Sequence, residues 1–202
     1  FPQTNYWSLL TSNYSSKTDL LANMTVDGVD YDSIGVRFKG QTSYQMAGNS
    51  QKKSFNLTMD HVRPDQDLMG YQTLNLNNSF QDASFLREVF YLHQIRRHIP
   101  VAKANYVNLY LNGQNWGLYP NVQQLNKTFL KEWFFSNDGI NWRADAPSGS
   151  GGGTGGGPGG GPGWGDGTAG FNYLGTDTSL YKQYYTLKSS DLENPWDYLV
   201  EA

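Results

Sequence analysis

Apolar positions along the first part of the chain change period from helical to alternating and back. Trp7, Leu9, Leu10 and Tyr14 recur near helical spacing, and Leu20 and Leu21 extend the same side, so the pattern predicts a helix over 5–22. From Asn23 the period becomes two. Runs at 23–26 and 29–39 flank Asp27-Gly28, a dipeptide that tolerates the positive φ of a tight hairpin turn. In the second run Ile34, Val36 and Phe38 share one face, while Ser33, Gly35, Arg37 and Lys39 share the other. A polar loop at 43–50 leads to a third strand, 52–59, with Lys53, Phe55, Leu57 and Met59 on one side.

Leu74-Asn75-Leu76-Asn77 reads as a short strand, and Asp82 as the cap of a helix over 83–98. Phe85, Leu92, Ile95 and Ile99 form that helix's apolar stripe, and Glu88 lies on it. A carboxylate there needs a partner, because an unpaired buried charge costs several kcal/mol. A further hairpin turns at Asn112-Gly113, and 122–126 forms a connector. A short aromatic helix is expected over 128–135, a strand over 184–188 and a helix opening near Asn194-Pro195-Trp196. Strands with one packed helix make an α+β layer. The stretch 147–170 is mostly glycine, has almost nothing to bury, and reads as a flexible insertion.

Composition narrows the chemistry. The 202 residues carry a formal net charge of −3 and no cysteine. That offers no basic field for nucleic acid, no disulfide and no thiolate metal site. No apolar run is long enough to span a membrane. The wealth of Asn, Ser, Thr, Gly and Tyr resembles that of secreted or cell-envelope proteins. His61, His93 and His98 lack metal-site spacing, so no metal ligand is assigned. No Walker loop follows the glycines, and no GxSxG elbow is present.

What remains is basic. Strand parity selects Lys53 over Lys52, and each of Lys53 and Glu88 answers the other's burial problem; a snorkelling lysine and a locally satisfied glutamate are the plain alternatives. Arg37 and Lys39 fit phosphate ligands, but from the pattern alone a solvated sheet face is the favoured reading. Trp116, Trp133, Trp142 and Trp164 fit packing or a sugar-stacking surface.

Val36-Arg37-Phe38-Lys39-Gly40, Lys52-Lys53-Ser54-Phe55, Phe85-Leu86-Arg87-Glu88 and the segment from Tyr106 to Tyr119 resemble, in order and spacing, the CotH family of spore-coat kinase-like proteins. The resemblance runs over about 7–126 and resumes at 171–202. It implies an atypical kinase fold that uses Mg²⁺ and ATP to phosphorylate Ser in protein substrates, with some members acting at cell or spore surfaces. Carried over by position, Lys53 and Glu88 are the catalytic strand lysine and its helix partner. Arg37, Lys39 and Lys53 line the nucleotide, and Gln124 lies in the connector beside the adenine. Gln124 and Asn126 stand where members more often carry acids. On this reading 1–126 is a kinase-like small lobe, 127–146 a helical connector, 147–170 the insertion, and 171–202 the start of a second lobe. The metal-binding and catalytic acids are then expected beyond Ala202, in the remainder of the polypeptide. The rival expectation is a non-catalytic surface, adhesion or carbohydrate-binding module that uses the same fold.

Overall fold

Asp27 and Gly28 sit at φ of 49° and 82° and close the first hairpin with the turn geometry that matches strand twist. They join β1 (Leu20–Val26) to β2 (Val29–Lys39). The computed structural model describes residues 1–144 and 173–201. The chain divides into two compact units, Phe1–Trp133 and Phe134–Ala202.

In the first unit β3 (Ser54–Thr58), β4 (Thr73–Leu76), β5 (Ala104–Leu111) and β6 (Gln114–Gln123) complete a six-stranded sheet in the order β1-β2-β3-β4-β6-β5. Every pairing is antiparallel, so the unit has the α+β architecture expected from the alternation. Ile34, Val36, Phe38, Phe55, Leu57, Leu74, Leu76 and Tyr119 bury one face together with Leu10 of the first helix, α1 (Tyr6–Ser12). Each such side chain contributes about 1.5–3 kcal/mol when fully buried. On β3 the opposite face is buried too, because Ser54 and Asn56 are each only 4 % exposed. Polar groups buried there require hydrogen-bond partners, and those partners build the site described below.

Three elements differ from the periodicity. α1 ends at Ser12, and Leu20 and Leu21 pair with Val36 and Gly35 instead of extending it. Lys17, at φ 57°, turns the chain between them. Within the polar stretch lies α2 (Thr42–Met46), which polarity alone conceals. It is anchored by Tyr44, whose ring stacks on Tyr14 and packs on Phe38. The long helix, α3, spans Arg87–Ile95 only. The Asp82 carboxylate accepts from the backbone N–H groups of Ser84 and Arg87 and holds a turn, with Phe85 at φ 60°, so the helix starts a turn late. A further helix, α4 (Lys127–Phe134), starts at Asn126, whose side-chain oxygen accepts from Thr128 and Phe129 N–H.

In the second unit β7 (Asn141–Ala144) pairs antiparallel with β8 (Tyr185–Ser189). α5 (Thr178–Tyr181) is capped by Asp177, and α6 (Pro195–Glu201) opens on proline, as expected. Tyr181, Tyr185 and Leu199 form a small core with Trp142 and Trp196 packed against it. The glycine-rich stretch and Trp164 lie outside the described residues.

Candidate functional site

Residues directly opposite one another in an antiparallel pair share a face. Arg37 faces Asn56 and Asn56 faces Asn75, so these three form one polar row across β2, β3 and β4, on the face opposite Phe38, Phe55 and Leu76. The row is joined by side-chain amides. Asn56 Nδ2 donates to Asn75 Oδ1 at 3.0 Å, and Asn75 Nδ2 donates to the Val122 carbonyl and to Gln124 Oε1 at 3.2 and 3.0 Å. Gln124 thus stands at the end of the row, tied into the sheet. At the other end Arg37 Nη1 donates to Asp19 Oδ1 at 2.7 Å, and Thr58 and His61 approach Asp19 Oδ2 at 3.4 Å. Gly35 makes this possible: a Cβ there would lie 2.9 Å from Asp19 Oδ2 and 2.8 Å from His61 Nδ1.

A second row lies beside the first. Lys39 faces Ser54, and its ammonium donates to Asn77 Oδ1 at 3.1 Å. Asn77 Nδ2 donates to both carboxylate oxygens of Glu88, at 2.8 and 3.0 Å. The backbone N–H of Asn77 donates to the Pro120 carbonyl, which pins this residue just past the end of β4. Glu88 sits in the first turn of α3, where the helix dipole favours an acid. Burial holds the Lys39 amine below the ordinary lysine range; Glu88 draws it back up, and Arg37 pushes it further down.

Lys53 goes elsewhere. Its ammonium donates to the carbonyls of Tyr44 and Gly48 at 3.1 and 2.7 Å and lies over the Tyr44 ring. Tyr44 packs on Phe38, so Lys53 belongs to the apolar side of the sheet, as its parity with Phe55 predicted. The expected Lys53–Glu88 pair is therefore not formed. The same parity that buries Lys53 beside Phe55 turns it away from the face on which Glu88 is met, and the lysine that reaches Glu88 through an amide is Lys39.

Lys52 also has a distinct place. β4 pairs with β6 only over 121–123, so the Trp116 and Leu118 carbonyls lie beyond that pairing. The Lys52 ammonium accepts this role as donor to both, at 3.0 and 2.8 Å, above the Tyr119 ring. Burial draws its pKa down to about 8.

Sequence reasoning missed Asp19 and Asn77. The Asn75-x-Asn77 alternation was the available signal for Asn77; Asp19 gave none, since it lies within the stretch read as helix. Of the tryptophans, Trp116 stacks on Trp7, Trp133 donates to the Val101 carbonyl, and Trp142 packs in the second unit. Among the described residues no group of three His, Cys, Asp or Glu could hold a metal ion, and no helix is long and apolar enough to cross a membrane.

No curated protein matches the chain. The family model described as CotH kinase protein matches residues 36–202, which takes in both basic positions of β2, the whole amide row and Glu88. The chain belongs to the CotH kinase protein family.

Proposed function

We propose that the polar face of the six-stranded sheet is the nucleotide side of a CotH-type atypical kinase, which transfers phosphate from Mg-ATP to Ser in protein substrates at a cell or spore surface. The observation that carries this reading is the Lys39–Asn77–Glu88 connection, a strand lysine held to a helix glutamate. Phosphoryl transfer relies on positioning and electrostatics, and a tethered cation meets that need.

The donor set fits a polyphosphate. Arg37 and Lys39 are two residues apart on one strand and share a face, so both present N–H donors to the same side. Lys39 would hold the phosphates, with Glu88 fixing its position through Asn77. Arg37 would flank them, its guanidinium kept in place by Asp19. Gln124, at the far end of the amide row, would stand on the base side. When bound, ATP supplies the phosphoryl group. No residue described here is assigned to Mg²⁺. Lys53, bound to two backbone carbonyls, is read as the tie that holds α2 to the sheet.

The test is Mg-ATP titration of the full-length polypeptide by calorimetry, with phosphoserine formation as a second readout. Saturable binding should weaken by about ten- to a hundredfold in Lys39→Met, the worth of a charged hydrogen bond. Absence of binding at millimolar Mg-ATP would instead favour the non-catalytic surface module.

A further inference from the structure

A cavity of about 420 Å³ opens where the C-terminal half of α3 faces the sheet and the 68–71 loop. Pockets that hold small molecules fall in this size range. Leu68, Leu74, Leu92 and Ala102 supply apolar wall, and none of Arg37, Lys39, Asn77 or Glu88 lines it. The cavity is therefore distinct from the polar row described above.

Its charge is one-sided. Arg96 and Lys103 line it, and no carboxylate does. Lys103 is already neutralised: its ammonium lies 3.0 Å from Glu132 Oε2 and donates to the Tyr71 hydroxyl at 2.7 Å. Arg96 is different. Its guanidinium donates to the Val101 carbonyl at 2.7 Å and lies over the Trp133 ring at 4.4 Å, and among the described residues no carboxylate pairs with it. A guanidinium lodged against an indole and a carbonyl keeps unused N–H donors and a full positive charge.

We propose that this cavity is a binding site for a small amphipathic monoanion, with an apolar body of about two rings against Leu68, Leu74 and Leu92 and a single carboxylate or sulfonate on Arg96. Glu88, Leu92 and the C-cap residue Arg96 follow one another at intervals of four, so they lie along one side of α3 and its end. An occupant thus touches the helix side that carries Glu88.

The probe is 1-anilinonaphthalene-8-sulfonate, with N-phenyl-1-naphthylamine as its uncharged counterpart, titrated by fluorescence into the full-length polypeptide. One equivalent of the sulfonate should bind, more tightly than the neutral amine. Arg96→Gln should weaken the sulfonate roughly tenfold while leaving the amine unchanged. Ala104→Leu, which narrows the cavity wall, should weaken both. Circular dichroism checks that each variant is folded; if Ala104→Leu is not, the Arg96→Gln comparison decides. Equal affinity of Arg96→Gln and the parent for the sulfonate overturns the proposal, as does equal binding of the charged and neutral probes by the parent. Neither arm contains nucleotide, so the outcome is independent of the nucleotide reading.

Discussion

Lys39 and Glu88 are joined by one amide: Asn77 accepts from the ammonium through Oδ1 and donates to both carboxylate oxygens through Nδ2. An amide is suited to this position because it satisfies an ammonium and a carboxylate at once. Replacing it by Leu keeps the volume but leaves both charged groups short of a partner. Asn77→Leu should cost about 1–3 kcal/mol of stability by urea denaturation. In a double-mutant cycle with Lys39→Met, the two losses should fall short of additivity. Strictly additive losses would mean that the two side chains act separately.

Buried Lys53 and half-buried Lys39 should part company under mutation. Lys53 gives its ammonium to the carbonyls of Tyr44 and Gly48, so Lys53→Met leaves two backbone acceptors without their donor. The expected result is a loss of about 1–3 kcal/mol in stability with Mg-ATP affinity retained. Lys39→Met should lower Mg-ATP affinity as well as stability, because its ammonium also donates to Asn77. Loss of nucleotide affinity in Lys53→Met at unchanged stability would restore Lys53 as the phosphate ligand.

Much of the scaffold was legible because it rests on short-range rules. Parity placed Ile34, Val36 and Phe38 in the core, and Asp27-Gly28 and Asn112-Gly113 closed their hairpins with positive φ at both turn residues. Parity also put Arg37 with Lys39 and Asn75 with Asn77. What it could not supply was the partner of each charge, since that depends on which strand lies alongside which. β4 is inserted between β3 and β6, and only that order places Asn75 next to Asn56, and Asn77 between Lys39 and Glu88. Asp19 reaches Arg37 because Gly35 has no side chain, a steric fact that no spacing rule encodes.

That glycine gives a third prediction. Gly35→Ala would set a methyl group 2.9 Å from the Asp19 carboxylate, and Asp19 must withdraw from Arg37 to make room. Overpacking of this kind costs about 1–3 kcal/mol. Asp19→Asn at the same background should then cost little more, because the ion pair is already disturbed. An undiminished effect of Asp19→Asn in the Gly35→Ala protein, measured by urea unfolding, would show that the carboxylate had not moved.

Asn126 holds the start of α4, a position that an acid can fill as well. Its side-chain oxygen accepts from the N–H groups of Thr128 and Phe129 at the start of α4. Asn126→Asp keeps that acceptor and adds a negative charge at the helix N-terminus, so stability should hold or rise slightly. Asn126→Ala should lose about 1 kcal/mol. Equal thermal midpoints for all three proteins would separate this residue from helix capping altogether.

Lys52 sets a pH dependence whose sign follows from its environment. Burial draws its folded pKa to about 8, below the ordinary lysine value of 10.5. Between those two values the unfolded chain holds a proton that the folded chain has released, so stability rises with pH across that window. Below about 8 both states are protonated, and the burial of a charged amine weighs against folding. Lys52→Met removes the titration but also the donor to the Trp116 and Leu118 carbonyls. The quantity to follow is therefore the slope and not the absolute stability. Urea midpoints measured from pH 7 to pH 10.5 should climb more steeply for the parent protein than for Lys52→Met. Parallel curves would mean that the ammonium, held by two carbonyls and the face of Tyr119, keeps its ordinary affinity for the proton.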